Sequence, residues 1–261
     1  MPSSKRYNSK DFTWGMELEV GDVDRGICIP PKLGSWEYAE TDVVNILFPY
    51  QYVACDPLGI EPPMGGEINT YPTHTIEEQV EKVSNLLDMF RLYGYTPTSN
   101  CISHTHVHVH VPGLTEDIVA LKRLTQYTIN NQYKALHHCY QFDPQVLGPH
   151  TIGKTYLKWD CGRPMPKWMG ENIIKQARTF NDFIRIQQCG IDGKSRGRPF
   201  RYCINTYCLK HTQTIEFRLF RHTLDLWSIK ECFKFVKHYM EAALNGGPSV
   251  NDLVKEHRYG F

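Results

Sequence analysis

"SHTHVHVHV", Ser103–Val111, carries a histidine at every second position four times over. Successive side chains of a β-strand point to opposite faces. As a strand, the segment sets His104, His106, His108 and His110 on one face and Thr105, Val107, Val109 and Val111 on the other. The valine face has the composition of a core. The imidazole face needs partners, because buried imidazoles are costly unless hydrogen-bonded or bound to a metal.

The neighbouring segments repeat the theme. "MELEV" (Met16–Val20) puts Glu17 and Glu19 on one face and Met16, Leu18 and Val20 on the other. Two residues of strand rise hold those carboxylates roughly 6–7 Å apart. On a half-buried face such a pair repels and loses solvation, so a cation is expected between or beyond them. "GGEIN" offers Glu67, and "TIEFRLF" offers Glu216 and Arg218 on one face with Ile215, Phe217 and Leu219 on the other. Taken singly, a glutamate pair on a strand is an ordinary solvent face, and a histidine row can be a set of hydrogen-bonded core residues. Four strand centres of this kind point instead to metal. Oxygen-rich ligation with one imidazole suits Mg2+ or Mn2+, whereas Zn2+ prefers more nitrogen or sulfur. An arginine two residues from a ligand glutamate is what phosphoryl transfer asks for, a fixed cation beside developing charge.

The remaining chain supplies helices and hairpins in no regular βαβ alternation. "FTWGMELEV", "VDRGICI", "YQYVAC" and "GGEINTY" read as strands. "TIEEQVEKVSNLLDMFRLYG" has one apolar stripe and a glycine stop. "LTEDIVALKRLTQYTINNQYKALHHCYQF" predicts a long helix capped by Thr115. Residues 143–170 read as a long proline- and glycine-bearing loop, and "ENIIKQARTFNDFIRIQQCG" as a single helix. "FRYCINTYCL" and "TQTIEFRLFR" read as a hairpin turning near His211, and "WSIKECFKFVKHYMEAALNGG" as an amphipathic helix before a short closing one. This order predicts one α+β domain over residues 1–261, with a curved, largely antiparallel sheet carrying helices on one face.

The 261 residues carry a formal net charge of +1, which gives no global signature of nucleic-acid or membrane binding. No apolar run is long enough to span a bilayer, and the N-terminus lacks the apolar segment of a secretory signal. Nine dispersed cysteines without a CxxC pair read as reduced thiols of a cytoplasmic protein.

"WGMELEV", "GGEI", "HVHV" and "TIEFRLFRHTLD", in this order from Trp14 to Asp225, resemble the motifs of the amidoligase family. This family is a branch of the carboxylate–amine ligases that includes glutamine synthetase and γ-glutamylcysteine synthetase. The resemblance implies a glutamine-synthetase-like catalytic domain. It also implies an ATP-dependent amide-forming reaction through an acyl phosphate, with two or more Mg2+ or Mn2+ ions. On that basis Glu17, Glu19, Glu67, His106, His108 and Glu216 are the expected metal ligands. Counting back from "VPGL" favours His106 as the ligand and His108 as its neighbour. Arg218 is expected to steady the transferred phosphoryl group and Glu67 to assist catalysis. Arg201 and Asn205, in "FRYCIN", are expected on the same basis near nucleotide or substrate, while the basic glycine loop "GKSRGRP" reads either as an ordinary solvated loop or as one whose Arg196 and Arg198 contact phosphate. The "FRHTLD" tail departs from the small residues usual there, so Arg221 and His222 are candidates for reading a particular substrate. The expected partners are a small-molecule or peptide carboxylate and an amine, and an oligomer is compatible with the pattern. Two other readings remain open at this level: a zinc hydrolase built on the histidine strand, and a non-catalytic binding module.

Overall fold

The computed structural model describes residues 5–22, 51–54, 66–92, 97–98, 104–140, 164–188, 202–221 and 223–257. They fall into two compact units, one comprising Thr13–His108 and Phe220–Phe233, the other Met1–Phe12, Val109–Leu219 and Lys234–Phe261.

The first unit begins with β1 (Thr13–Asp22), β2 (Gln51–Ala54) and β3 (Gly66–Asn69). It continues with α1 (Ile76–Leu92), β4 (Pro97–Thr98) and β5 (His104–His110) as far as His108. Its strands run in the order β2-β3-β1-β5, with β4 also on β1. The β1/β3, β1/β4 and β2/β3 pairs are antiparallel. Burial along β1 alternates residue by residue: Trp14, Met16 and Leu18 are buried, while Thr13, Gly15 and Glu17 are half-exposed. This is the period-2 signature expected of a half-buried strand. Met16 and Leu18 share the core of this unit with Val83, Leu86 and Leu87 of α1, and Val107 of β5 is likewise buried.

A buried glutamine ties α1 to β1. Gln79 donates through Nε2 to the carbonyls of Trp14 (2.6 Å) and Tyr71 (2.8 Å). Its Oε1 accepts from the Thr70 hydroxyl at 2.8 Å. The Thr70 Oγ1 in turn accepts from the Met16 amide at 2.9 Å. These bonds answer backbone groups where the chain leaves β3 for the helix, and they fix the stretch of β1 that carries Glu17.

The second unit holds the end of β5, α2 (Ile118–Tyr140), α3 (Lys167–Gln176) and α4 (Phe180–Gln188). It also holds β6 (Ile204–Asn205), β7 (Thr214–Arg221) as far as Leu219, α5 (Leu226–Asn245) from Lys234, and α6 (Val250–His257). Its strands run β5-β7-β6, and β6 pairs antiparallel with β7. Tyr239 sits at the centre of its core, edge-on to Tyr127 (4.9 Å) and Phe217 (5.4 Å). Its hydroxyl donates to Thr128 at 3.3 Å. Helix α5 stops where Gly246 adopts φ +76° and the Gly247 amide reaches back to the Ala242 carbonyl at 2.8 Å, a Schellman ending. The same turn presents Asn245, whose side-chain amide clasps the N-terminal segment. Its Oδ1 accepts from the Tyr7 amide (3.0 Å) and its Nδ2 donates to the Tyr7 carbonyl (2.8 Å).

Four local expectations are corrected. The cap of α2 is Asp117 and not Thr115: Asp117 Oδ1 accepts from the Ala120 amide at 2.9 Å, while Thr115 lies in a 3-10 turn, Leu114–Glu116. The segment expected as one helix from Glu171 is two helices. Ala177 turns extended, and a reciprocal box then starts α4, with Asp182 Oδ2 accepting from the Thr179 amide and Thr179 Oγ1 accepting from the Asp182 amide, both at 3.1 Å. Lys167–Gly170, expected as loop, is the first turn of α3, and the rest of the expected loop up to residue 163 lies outside the described residues. The first strand of the expected hairpin is only Ile204–Asn205, followed by a 3-10 turn over Thr206–Lys210, because Asn205 Oδ1 accepts from the Tyr207 amide and bends the chain.

The architecture is α+β, and every strand pair whose register is described is antiparallel. Among the described residues, no helix is long and apolar enough to cross a membrane.

Candidate functional site

Strand β5 behaves as its sequence reads. Thr105, Val107, Val109 and Val111 are fully or almost fully buried. On the opposite face His106 is also buried, whereas His108 and His110 are partly open. The four histidines are therefore not equivalent. His110 belongs to the second unit, where its Nδ1 lies 2.9 Å from the Gln213 carbonyl, held out by a backbone of φ +58° at Gln213. The side chain of His104 lies outside the described residues.

In the first unit, Glu17 of β1 sits against two imidazoles, one on each oxygen. Glu17 Oε1 is 2.6 Å from His106 Nδ1, and Glu17 Oε2 is 3.5 Å from His108 Nε2. Burial alone would raise the Glu17 carboxyl, but His106 and His108 reverse this and hold it well below the usual carboxylate range. The carboxylate is ionised at neutral pH.

The two distances assign different roles. Two ligand atoms about 2.1 Å from one ion lie roughly 3.0–3.4 Å apart at octahedral or tetrahedral angles. The 2.6 Å contact is too short for that and is a charge-assisted hydrogen bond. The 3.5 Å separation of Glu17 and His108 is close to the co-ligand spacing, and each of these side chains can offer a metal one ligand atom. A donor set of one carboxylate and one imidazole accepts Mn2+, Zn2+ or Mg2+, so the residues present fit a divalent cation.

Glu19 and Glu67 are known by backbone register alone. Their Cα positions are direct partners across the β1/β3 pair, and Glu17 pairs with Asn69. Like charges at directly opposed positions destabilise a sheet. The side chains of Glu19 and Glu67 lie outside the described ones.

In the second unit, Glu216 and Arg218 lie on one face of β7, each about 4% exposed. Arg218 Nη1 contacts Glu216 Oε1. Across the β6/β7 pair Asn205 is the register partner of Glu216, and its Nδ2 donates to Glu216 Oε2 at 2.8 Å. Cys208, on the 3-10 turn, brings its Sγ to 3.3 Å from the same oxygen. A buried carboxylate so enclosed has a fixed orientation. The Asn205 amide, expected near nucleotide or substrate, holds Glu216 and caps the turn at Tyr207. Cys208 was not among the residues singled out in the sequence. The spacing "NTYC" is its only mark there, and that spacing becomes meaningful once the 3-10 turn is known. Arg196, Arg198, Arg201 and His222 lie outside the described residues, as does the side chain of Arg221.

The chain matches no family model and no curated protein.

Proposed function

We propose that this chain is a divalent-metal-dependent, ATP-consuming carboxylate–amine ligase with a glutamine-synthetase-like catalytic fold, acting in the cytoplasm on a small-molecule or peptide carboxylate and an amine. The observation that carries the proposal is the ionised Glu17 beside His108 at near co-ligand spacing. The motif order from Trp14 to Asp225 supports the ligase class.

In this reading Glu17 and His108 are the candidate ligands of the first unit, and Glu216 is a buried carboxylate of the second. Glu19 and Glu67 are further carboxylates from sequence and register. His106 is a positioning residue that orients Glu17 through their hydrogen bond, which reverses the roles expected for the two histidines from the "VPGL" count. Asn205 orients Glu216. Bound Mg2+ or Mn2+ would supply charge neutralisation for the nucleotide phosphates. Arg218 is the fixed cation for charge on the transferred phosphoryl group. The substrate carboxylate attacks the γ-phosphorus and ADP leaves; the amine then attacks the acyl carbon of the acyl phosphate, the acyl C–O bond breaks to release inorganic phosphate, and the nitrogen gives up a proton to leave the amide. Water must be excluded during that interval, since an acyl phosphate hydrolyses when exposed.

Two imidazoles on one carboxylate also favour a second reading, a zinc hydrolase. One assay separates the two. The purified chain is incubated with ATP, Mg2+ or Mn2+, and pooled carboxylates and amines. The ligase requires ADP release that depends on both substrates and is lost in Glu17→Gln. Tight Zn2+ binding with no nucleotide binding in the presence of Mg2+ would reject the ligase in favour of the hydrolase.

A further inference from the structure

Away from Glu17 and Glu216, the second unit carries a groove of about 740 Å³ between the N-terminal segment and the α5–α6 corner. Arg6 and Asn8 line it from the segment, His238 and Glu241 from α5, and Glu256 and His257 from α6. The His238 and His257 rings lie face to face, with centroids 3.7 Å apart and planes 16° apart.

Helix α6 has only eight residues. A helix this short is marginal alone and owes its order to docking. Val250 and Leu253 supply its buried apolar contacts. Its start is held by the Val250 amide donating to Asn131 Oδ1 (3.2 Å) and by the Tyr127 hydroxyl donating to the Pro248 carbonyl (2.7 Å). The far end of the helix meets α5 through the ring stack.

We propose that the His238–His257 stack is a proton-sensitive latch that docks the end of α6 on α5 and releases it, opening the groove, as pH falls below the ordinary histidine range. One imidazolium over a neutral ring is tolerated and even attractive. Two imidazolium rings at this separation repel, so the second proton is taken up freely only when the rings part. The surrounding charges are Lys237 and Glu241 on α5, Glu256 on α6 and Arg6 on the N-terminal segment. Burial, then His257, with a lesser push from Lys237, outweigh the opposing effects of Glu241 and Glu256 and bring the His238 ring down to about 4. A histidine with a depressed value in the docked state binds fewer protons there than when released. Docking is therefore at full strength above about pH 6.5, and it weakens as pH falls from there towards the depressed value.

The test is hydrogen exchange of the full chain, corrected for intrinsic rates, at about pH 7.5 and about pH 5. Exchange over Val250–His257 is expected to accelerate roughly tenfold or more at the lower pH, with Ile118–Tyr140 still protected. His238→Phe and His257→Phe each keep a stacking ring and remove its charge; His238→Phe is expected to abolish the pH response, and His257→Phe, which leaves His238 buried, to reduce it. Unchanged protection of Val250–His257 in the parent, the full parental response persisting in His238→Phe, or simultaneous loss of protection in Ile118–Tyr140 would overturn the latch.

Discussion

Glu17 and Glu216 are both carboxylates set into strands, yet they are answered differently. Glu17 faces two imidazoles, whose charge depends on their protons, whereas Glu216 faces Arg218, which is permanently charged. Removing one partner from a buried ion pair leaves an uncompensated charge, and that costs more than the pair is worth. Arg218→Met is therefore expected to destabilise the chain by about 3–5 kcal/mol in urea unfolding, with Glu216→Gln added to it restoring much of the loss. Additive losses in the double variant would contradict the pairing. At the Glu17 site, His106→Ala is expected to weaken Mn2+ affinity about 10–100-fold by loosening the oriented carboxylate, and His108→Ala to weaken it further by removing a ligand atom. The thiols also separate at this scale. Cys139, Cys203 and Cys232 are buried, and burial pushes the Cys203 thiol up to about 12. Among these and Cys208, only Cys208 is expected to react with a thiol reagent in the native chain, and native labelling followed by peptide mapping checks this.

At the scale of elements, the strands were the most legible part of the sequence. The period of two in "MELEV" and "HTHVHVH" returns as alternating burial along β1 and a fully buried valine face on β5. The pairing of Glu17 with particular histidines was not legible, because alternation assigns faces and not neighbours across strands. The break between α3 and α4 was hidden for a related reason. Its apolar stripe continues, and only the box made by Thr179 and Asp182 stops it. In the sequence Gln79 looks like one more polar residue of an amphipathic helix, although two hydrogen bonds donated by its side chain and one accepted organise the β3–α1 corner. Gln79→Leu is expected to cost about 1–3 kcal/mol and to lower metal affinity together with stability, since it removes one of the donors to each of the Trp14 and Tyr71 carbonyls and the acceptor of the buried Thr70 hydroxyl. An unchanged urea midpoint would contradict that role. Asp225 caps α5, and Asp182 and Asp252, in the first turns of α4 and α6, pair with Thr179 and Ser249 just before those helices. Hydrogen bonds depress all three carboxyls, chiefly from the Arg178 amide, the Ser228 amide and the Ser249 hydroxyl respectively. Their folded-state values lie below the unfolded ones, so their contribution is complete above about pH 4 and is lost as pH falls through the depressed values. Urea unfolding of the triple Asn variant is expected to show a flatter acid limb than the parent.

At the scale of the molecule, each of the two units sets titratable strand residues against one carboxylate, Glu17 in the first and Glu216 in the second. The α+β class follows from helices and antiparallel pairs mixed without βαβ order. The proposed glutamine-synthetase-like fold rests on motif order, as does the proposed use of ATP. The central claim is that Glu17 and His108 hold a divalent cation. Calorimetric titration of Mn2+ into the metal-stripped chain and its Glu17→Gln and His108→Ala variants tests it most directly, with His238→Phe as the control. Binding by the parent and the control, and its loss by about 100-fold or more in Glu17→Gln and His108→Ala, is the expected result. Equal affinity in the parent and Glu17→Gln would contradict the claim.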